Sequence, residues 1–271
     1  MAKMTGNFDW KVPEVVPAFI QGKDARQVYT DVKALAGEGF GYDAKTRTFY
    51  GSNPFVAARV DTKLRDLGIR VADRFDIHRP EVLRMVQGNH YTDTPTLVLR
   101  SMQDSYERNL PLIKRVAEMV EEKAGKLELP VMITGFDVVA DPRDKEGYGV
   151  NIVPRGDFIA IHDERLSGKC HGKKFNEVDD QALPRFSEDG KRTWYARNEG
   201  LSGLCLYRNL CVSSNDEYLA YSNSYGRVVL ISGEATAKNF TEELRRVHDQ
   251  RKSELQQWLE ESIAKMPGAK E

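Results

Sequence analysis

The sequence predicts an α/β first half, with a mainly parallel sheet and flanking helices, followed by an antiparallel, hairpin-rich β region and a long C-terminal helix. Three observations support this fold class. Strand-type and helix-type patterns alternate as far as about residue 141, which is typical of βαβ units. Beyond that point turn-forming Gly, Pro and Asp recur every few residues, and an apolar stripe with helical spacing then follows. We therefore expect an α/β domain over 1–141, a β region over 142–236 that can pack on it as one unit, and an amphipathic helix over 237–271.

The elements of the first half follow from local signals. A helix pattern over 24–36 places its apolar residues on one face, and Gly37 follows as a stop signal. A second helix is predicted over 54–67, because Asn53 is a typical N-cap and Pro54 suits the first helical turn. The remaining predicted elements are a short helix from Pro80 to Gly88, a helix over 109–124, and strands over 46–50, 69–75, 96–100 and 129–133. The last three of these strands are expected to lie parallel in one sheet.

Turn signals in the second half predict hairpins. Strand patterns over 148–153 and 158–162 flank Pro154-Arg155-Gly156. Those over 185–187 and 192–196 flank Glu188-Asp189-Gly190-Lys191, in which Asp-Gly is a strong hairpin signal. Two further strands are predicted, over 204–212 and 227–232.

An apolar stripe over 240–265, from Phe240 to Ile263, predicts the long terminal helix. Asn239 and Glu242 form a capping-box pattern at its start. Because the stripe is longer than a compact domain needs to cover its core, we expect its second half, around Trp258, to form a homo-oligomer contact. Packing of the whole helix within one chain is the alternative.

Composition and charge narrow the function classes. The chain has 271 residues, of which 40% are hydrophobic and 30% charged, and its formal net charge is −1. This composition is typical of a globular protein, and the near-neutral balance gives no general attraction to nucleic acid or to an anionic membrane. The first residues show no signal-peptide pattern, and no apolar run is long enough to span a bilayer. A soluble, cytoplasmic protein without a membrane partner is expected.

The three cysteines form no metal-ligand or disulfide pattern. Cys205 and Cys211, placed in one strand over 204–212, would lie roughly 20 Å apart at the rise of a β-strand. Cys170 stands directly beside His171, which is not the spacing of a metal site. We expect three free thiols and no metal site, and the sequence leaves open whether a cofactor is bound.

The carboxyl edge of the predicted parallel sheet is the first candidate site, because open α/β sheets bind ligands where their strands end. Gly51, Ser52 and Asn53 precede a helix N-terminus, whose free N–H groups favour an anion. Arg79 and Arg100, from neighbouring loops, would add positive charge. For Ser52 and Asn53, a purely capping role is the alternative.

Two residues at the same edge are candidates for proton transfer. His78 has a side chain that changes its charge near pH 6.5 when unperturbed. Asp137 shares strand parity with Val131 and Ile133, so a strand that continues past Gly135 would place its carboxylate on an apolar face and perturb its pKa. If the strand ends at Gly135, Asp137 is an ordinary loop residue.

A basic segment over 167–174 is the second candidate site. It carries Lys169, His171, Lys173 and Lys174 among two glycines, a combination that suits phosphate or an RNA backbone. A solvated basic loop, balanced by nearby acidic residues, is the alternative.

These features leave two functions open. The first is an enzyme or binding protein for a small anionic metabolite, such as a nucleotide or phosphorylated compound, held at the Gly51–Asn53 helix start and Arg100. The second is a non-enzymatic interaction protein whose β region and C-terminal helix bind a protein or RNA, with the tyrosine-rich segment 207–225 stacking on bases. The near-zero net charge disfavours RNA. The first function is preferred, because the predicted fold would itself create the site.

Overall fold

A computed structural model of the chain describes residues 16–33, 39–45, 47–65 and 68–232. All of these residues belong to one compact unit, Glu14–Gly233. The helix predicted over 240–265, the oligomer contact expected from it and the Gly37 stop signal lie outside the described residues. The expected division at residue 141 stays a prediction.

The helices of the described chain begin near their predicted positions, and the ends predicted at residues 36 and 67 lie outside the described residues. They are α1 Gly22–Val32, α2 Pro54–Leu64, α3 Pro80–Val86 and α4 Leu110–Ala124. The start of α2 confirms the capping prediction, since the Oδ1 atom of Asn53 accepts a hydrogen bond from the Val56 N–H at 2.9 Å. None of the helices in these segments has the length and apolarity to cross a membrane.

The Asn53 cap gives a stability prediction. Asn53→Ala should lower the free energy of unfolding by about 1 kcal/mol, because the Val56 N–H loses its acceptor. Asn53→Ser, which keeps a capping oxygen, is the matched control and should lose less. Urea denaturation measures both variants, and equal stability of Asn53→Ala and the wild type would contradict the capping role.

The strands within the described residues form three sheets. Their bounds are β1 Val16–Phe19, β2 Gly41–Asp43, β3 Thr48–Tyr50, β4 Ile69–Val71, β5 Thr92–Leu99, β6 Val131–Ala140, β7 Val150–His162, β8 Lys174–Val178, β9 Pro184–Phe186, β10 Arg192–Ala196, β11 Leu201–Leu206, β12 Val212–Ser214 and β13 Val229–Ser232. The large sheet has eight strands in the order β7-β6-β5-β11-β12-β10-β8-β9. A three-stranded sheet has the order β1-β13-β4, and β2 pairs with β3.

The predicted fold class, an α/β half with a mainly parallel sheet, is wrong. The strands β5 and β6 pair antiparallel, with Leu97 opposite Ile133, and β4 pairs with β13 in a different sheet. Among the strands that the structure describes, only β10 and β12 pair in parallel. The protein is therefore mostly β, with one large mixed sheet.

The strand β5 explains this error. Val98 packs into one hydrophobic cluster, while Leu97 and Leu99 pack into another on the opposite face. A strand that is covered on both faces has a continuous apolar run, which is most typical of parallel sheets but also fits this antiparallel one. The strand–helix order does not fix direction either, because residues 100–109 make the connection to α4 longer than the short loop of a βαβ unit.

The first predicted hairpin is wrong as well. The strand β7 runs unbroken through Pro154-Arg155-Gly156 and pairs with β6, and a register shift between Thr134 and Phe136 absorbs the extra residues as a bulge. Gly135 has a φ of 73° at this shift, and a Cβ atom on it would lie 2.2 Å from the carbonyl oxygen of Asp157. The turn signal therefore marks a bulge within one continuous strand.

For the second predicted hairpin, the turn is present but the two strands do not pair with each other. The Gly190 N–H donates to the Ser187 carbonyl at 3.1 Å, which closes the turn. The strands on either side, β9 and β10, both pair with β8, which lies between them. A local turn signal thus predicted the bend and not the partner strand.

The segment 204–212 is a hairpin and not a single strand. It consists of the end of β11, a tight turn and the start of β12, and the Leu210 N–H donates to the Tyr207 carbonyl at 2.8 Å. Leu210 has a φ of 66°, a conformation that the sequence would normally signal with Gly or Asn. The hairpin places Cys205 opposite Ser213. The distance between Cys205 and Cys211 that was expected for one extended strand is therefore wrong. All three cysteines of the chain are free and buried.

Candidate functional site

The residues expected to bind an anion are enclosed by partners within the chain. Ser52 and Asn53 are 0% and 1% exposed, and the Ser52 N–H donates to the Ser222 hydroxyl at 2.7 Å. The Oγ atom of Ser52 accepts the Asp93 N–H at 3.0 Å, so Ser52 lies beside the start of β5. Arg100 follows the opposite end of the same strand. The predicted sheet edge does not exist, and the structure does not bring these residues together.

Arg100 is fixed inside the protein. It donates to the Leu166 carbonyl at 2.6 Å and to the hydroxyls of Ser202 and Ser214 at 2.7 and 2.8 Å. Burial, with the charge of Arg197 adding to it, lowers the pKa of Arg100 to about 9. Its visible role is to join β5 to β11 and β12.

His78 and Arg79 also have partners. The Nδ1 atom of His78 lies 2.9 Å from Nη1 of Arg192, and burial together with this charge lowers the pKa of His78 to about 3. The imidazole is therefore neutral near pH 6.5, contrary to the expectation that it titrates there. The Nε atom of Arg79 lies 3.3 Å from Oδ1 of Asp76.

Asp137 lies on a strand, but not on its apolar face. The strand β6 continues to Ala140, so the alternative of an ordinary loop residue is wrong. The bulge at Gly135 reverses which side chains of β6 face the core, so Phe136 and Val138 face it and Asp137 does not. Asp137 forms an ion pair with Arg59 at 2.5 Å.

The basic segment folds into a short helical turn over Gly168–Cys170 that leads into β8. Lys169, Lys173 and Lys174 are exposed, whereas the Nδ1 atom of His171 lies 2.7 Å from the Ala196 carbonyl oxygen. Binding of phosphate or RNA by this segment stays a prediction.

A cavity of about 200 Å³ lies at the start of β5, and the tyrosine-rich segment 207–225 supplies much of its lining. Asp93 of β5 lies directly opposite Cys205 of β11, so their side chains share one face of the sheet. Tyr91, directly before β5, and Tyr207, directly after β11, stand two residues away along the chain and line the same space. The start of α2, the strand β11 and the segment 216–223 supply the rest of the lining: Pro54, Gly203, Asp216, Tyr218, Leu219, Tyr221 and Asn223.

Asp93 is the residue that points to a ligand. It is 8% exposed, and its Oδ2 atom is buried without a hydrogen-bond partner among the described residues. Burial raises the pKa of Asp93 to about 7; the charge of Asp216 adds to this effect, and the Ser52 hydroxyl opposes it. Because an unpaired buried carboxylate oxygen costs free energy, it is typical of a site that a ligand or a proton completes.

None of the other titratable groups that line the cavity is positively charged or acts as a nucleophile at neutral pH. Asp216 stands at the mouth, where desolvation by the surrounding protein and the neighbouring Glu217 raise its pKa. Burial raises the pKa of the Cys205 thiol well above its usual value, and the two carboxyls add to this, so the thiol is protonated at neutral pH and unreactive. Burial also raises the pKa values of Tyr91 and Tyr207, whose phenols stay neutral.

Tyrosine rings surround the carboxyls. The Tyr91 hydroxyl donates to the Ser52 carbonyl and accepts the Asn223 N–H, both at 3.2 Å, which fixes this ring. Tyr218 and Tyr221 are 50% and 56% exposed at the mouth, and the ring of Tyr106 packs edge-on against Tyr218 at 4.6 Å. The cavity therefore combines one fixed inner ring, that of Tyr91, with accessible outer rings.

This set of groups is suited to a positively charged ligand. Two carboxyls and four tyrosines line the cavity, and none of the described lining residues is basic. Carboxylates and the faces of aromatic rings both attract an ammonium group. A carboxyl with a pKa near 7 can also accept or donate a proton at neutral pH. In the described ranges, no three His, Cys, Asp or Glu side chains are placed to hold a metal ion.

No protein-family model, curated protein or solved structure matches the chain. The inference of function therefore rests on the cavity and on the groups that line it.

Proposed function

We propose that the chain binds a small organic cation, whose ammonium group enters the tyrosine-lined cavity and pairs with the Asp93 carboxylate. The observation that carries this proposal is the buried Oδ2 atom of Asp93, which has no partner among the described residues and lines the cavity. A bound ammonium group would supply the missing donor and compensate the buried charge.

The choice of a cation over an anion follows from charge. The ionised forms of Asp93 and Asp216 both line the space, and no lining residue in the described ranges offsets them. An anion there would meet like charges in a poorly screened site. The proposal thus keeps the small ligand expected from the sequence and reverses the sign of its charge. Protein or RNA binding by the β region stays a separate prediction.

Isothermal titration at pH 8 with n-butylamine and n-butanol tests this function. The two molecules have nearly the same shape, and only the amine is charged. We expect the amine to bind and to raise the melting temperature through mass action, and the alcohol to do neither. Tighter binding of inorganic phosphate than of the amine would support the anion expected from the sequence and overturn the proposal.

The variant Asp93→Asn should weaken n-butylamine binding by roughly ten- to hundredfold, which is the usual value of a hydrogen bond to a charged group. Glu118→Gln, on an exposed part of α4, removes the same charge outside the cavity and should leave the affinity unchanged. Equal affinities in wild type and Asp93→Asn would contradict the role of Asp93.

A further inference from the structure

A larger groove of about 630 Å³ borders the tyrosine-lined cavity. The two spaces share Tyr207, Asp216 and Tyr218 in their linings, so a ligand longer than the cavity has the groove beside it. A single ammonium group in the cavity would leave this groove empty. The shape of the combined site therefore indicates an elongated ligand.

The groove is also acidic. Its lining includes Glu199, Asp216 and Glu217, and the one basic side chain among its described lining residues is Arg197. The charge of Arg197 is already neutralised, because its Nη2 atom lies 2.7 Å from Oδ1 of the buried Asp104.

Two of these carboxylates can accept a second cation. Glu217 is 36% exposed at its side chain, and its Oε2 atom lies 3.3 Å from Nη2 of Arg197. Glu199 accepts the Ser105 N–H at 3.1 Å through Oε1, which holds its side chain at the groove. A carboxylate has lone pairs beyond these single contacts, so both groups retain acceptor capacity.

The geometry points to a linear diamine or longer polyamine as the ligand class. This inference rests on the proposed function. One ammonium group would pair with Asp93 in the cavity, and the methylene chain would lie along Tyr207 and Tyr218. The second ammonium group would meet Glu199 and Glu217 in the groove. Two charges joined by an apolar chain match the order of the lining: carboxylate, aromatic rings, carboxylates.

Titration at pH 8 with n-butylamine, 1,4-diaminobutane and spermidine tests this ligand class. We expect the diamine to bind at least about tenfold more tightly than the monoamine, because the second contact forms within the same complex. Spermidine should bind at least as tightly as the diamine. The two equivalent ends of a diamine alone give only about a twofold advantage, so the expected difference exceeds that statistical factor.

The double variant Glu199→Gln/Glu217→Gln should reduce the ratio of diamine to monoamine affinity to about twofold. The matched control is Glu118→Gln/Glu121→Gln on α4, which removes two carboxylates outside both spaces and should preserve the wild-type ratio.

The outcomes separate the two proposals. If the wild type binds n-butylamine and the diamine within about twofold of each other, the polyamine inference is wrong and the cation-binding function stands. If lysine amide binds more tightly than the diamine, the groove accepts a peptide-like group and the inference is again wrong. If no amine binds, both proposals fail.

Discussion

The affinity of the cavity for n-butylamine should rise by roughly ten- to fiftyfold between pH 5 and pH 8, because the ionised carboxyl binds ten- to hundredfold more tightly than a neutral side chain. The pKa of Asp93 is about 7, so at pH 5 about one in a hundred of these carboxyls is ionised, whereas most are ionised at pH 8. The ligand stays charged throughout, since alkylammonium groups titrate near pH 10. Only the ionised carboxyl pairs with an ammonium group, and the affinity therefore follows the deprotonation of Asp93.

The groups that face Asp93 either stay neutral or act in the same direction. Cys205, Tyr91 and Tyr207 have raised pKa values and do not ionise in this range. Asp216 also has a raised pKa, and its deprotonation would strengthen cation binding as the pH rises. Titrations at several pH values should show the rise for the wild type.

Two further measurements assign this pH dependence to Asp93. Binding at pH 6 should release roughly half of a proton or more, which titrations in buffers of different ionisation enthalpy detect. Asp93→Asn should lose most of the pH dependence. An affinity that is independent of pH in the wild type, or an equal rise with pH in Asp93→Asn, would show that Asp93 is not the group that binds the cation.

The parts of the fold that could be predicted from the sequence are those that depend on neighbouring residues. Asn53 and Pro54 mark the start of α2 because a cap and a first turn need only local contacts. Strand direction and partner depend on the rest of the chain, and here the local signals were misleading. Pro154-Arg155-Gly156 has the pattern of a turn but forms part of a bulge, because β6 pairs with the chain on both sides of it.

The candidate site as a whole could not be predicted either, because it depends on which strands pair. Asp93 lies in Thr92-Asp93-Thr94-Pro95, a segment whose Asp and Pro argue against a strand, and the strand was expected to begin only at Thr96. The register shift between Gly203 and Cys205 accommodates this segment in the sheet. The sequence does contain one signal: Tyr91 and Asp93, like Cys205 and Tyr207, are two residues apart, which places each pair on one face of an extended chain. It becomes informative only once β5 is known to pair with β11.

Asp104 holds one wall of the groove through a dense set of contacts. Its side chain is fully buried, and its two oxygens accept from Nη1 and Nη2 of Arg197, at 3.2 and 2.7 Å. They also accept from Nδ2 of Asn109 at 2.8 Å and from the backbone N–H groups of Tyr106 and Leu201 at 3.0 Å. One carboxylate thus joins the segment after β5, the start of α4 and the start of β11.

Asp104→Asn should lower the free energy of unfolding by about 3–5 kcal/mol, the usual cost of breaking a buried ion pair by removing one partner. The new NH₂ group faces donors that need an acceptor, and Arg197 keeps its bond to the Leu201 carbonyl at 3.0 Å but only a longer contact, with Glu217, to a carboxylate. Asp141→Asn is the matched control: it removes an Asp–Arg pair in which Arg143 is 88% exposed, and it should leave stability nearly unchanged. Urea denaturation at pH 7 measures both variants, and a loss below about 1 kcal/mol for Asp104→Asn would contradict the role given to this carboxylate.

The pH dependence of this loss provides an independent check. Burial alone would raise the pKa of Asp104, but the hydrogen bonds from Asn109, Leu201 and Tyr106 and the charge of Arg197 hold it below its ordinary value. A carboxyl with a lowered pKa stabilises the folded state above its unfolded pKa, near 3.9, and this contribution disappears as the pH falls through the folded-state pKa. The stability difference between wild type and Asp104→Asn should therefore be largest at neutral pH and shrink below about pH 4. A difference that stays constant down to pH 2 would mean that the charge of Asp104 contributes nothing and that the variant acts through packing alone.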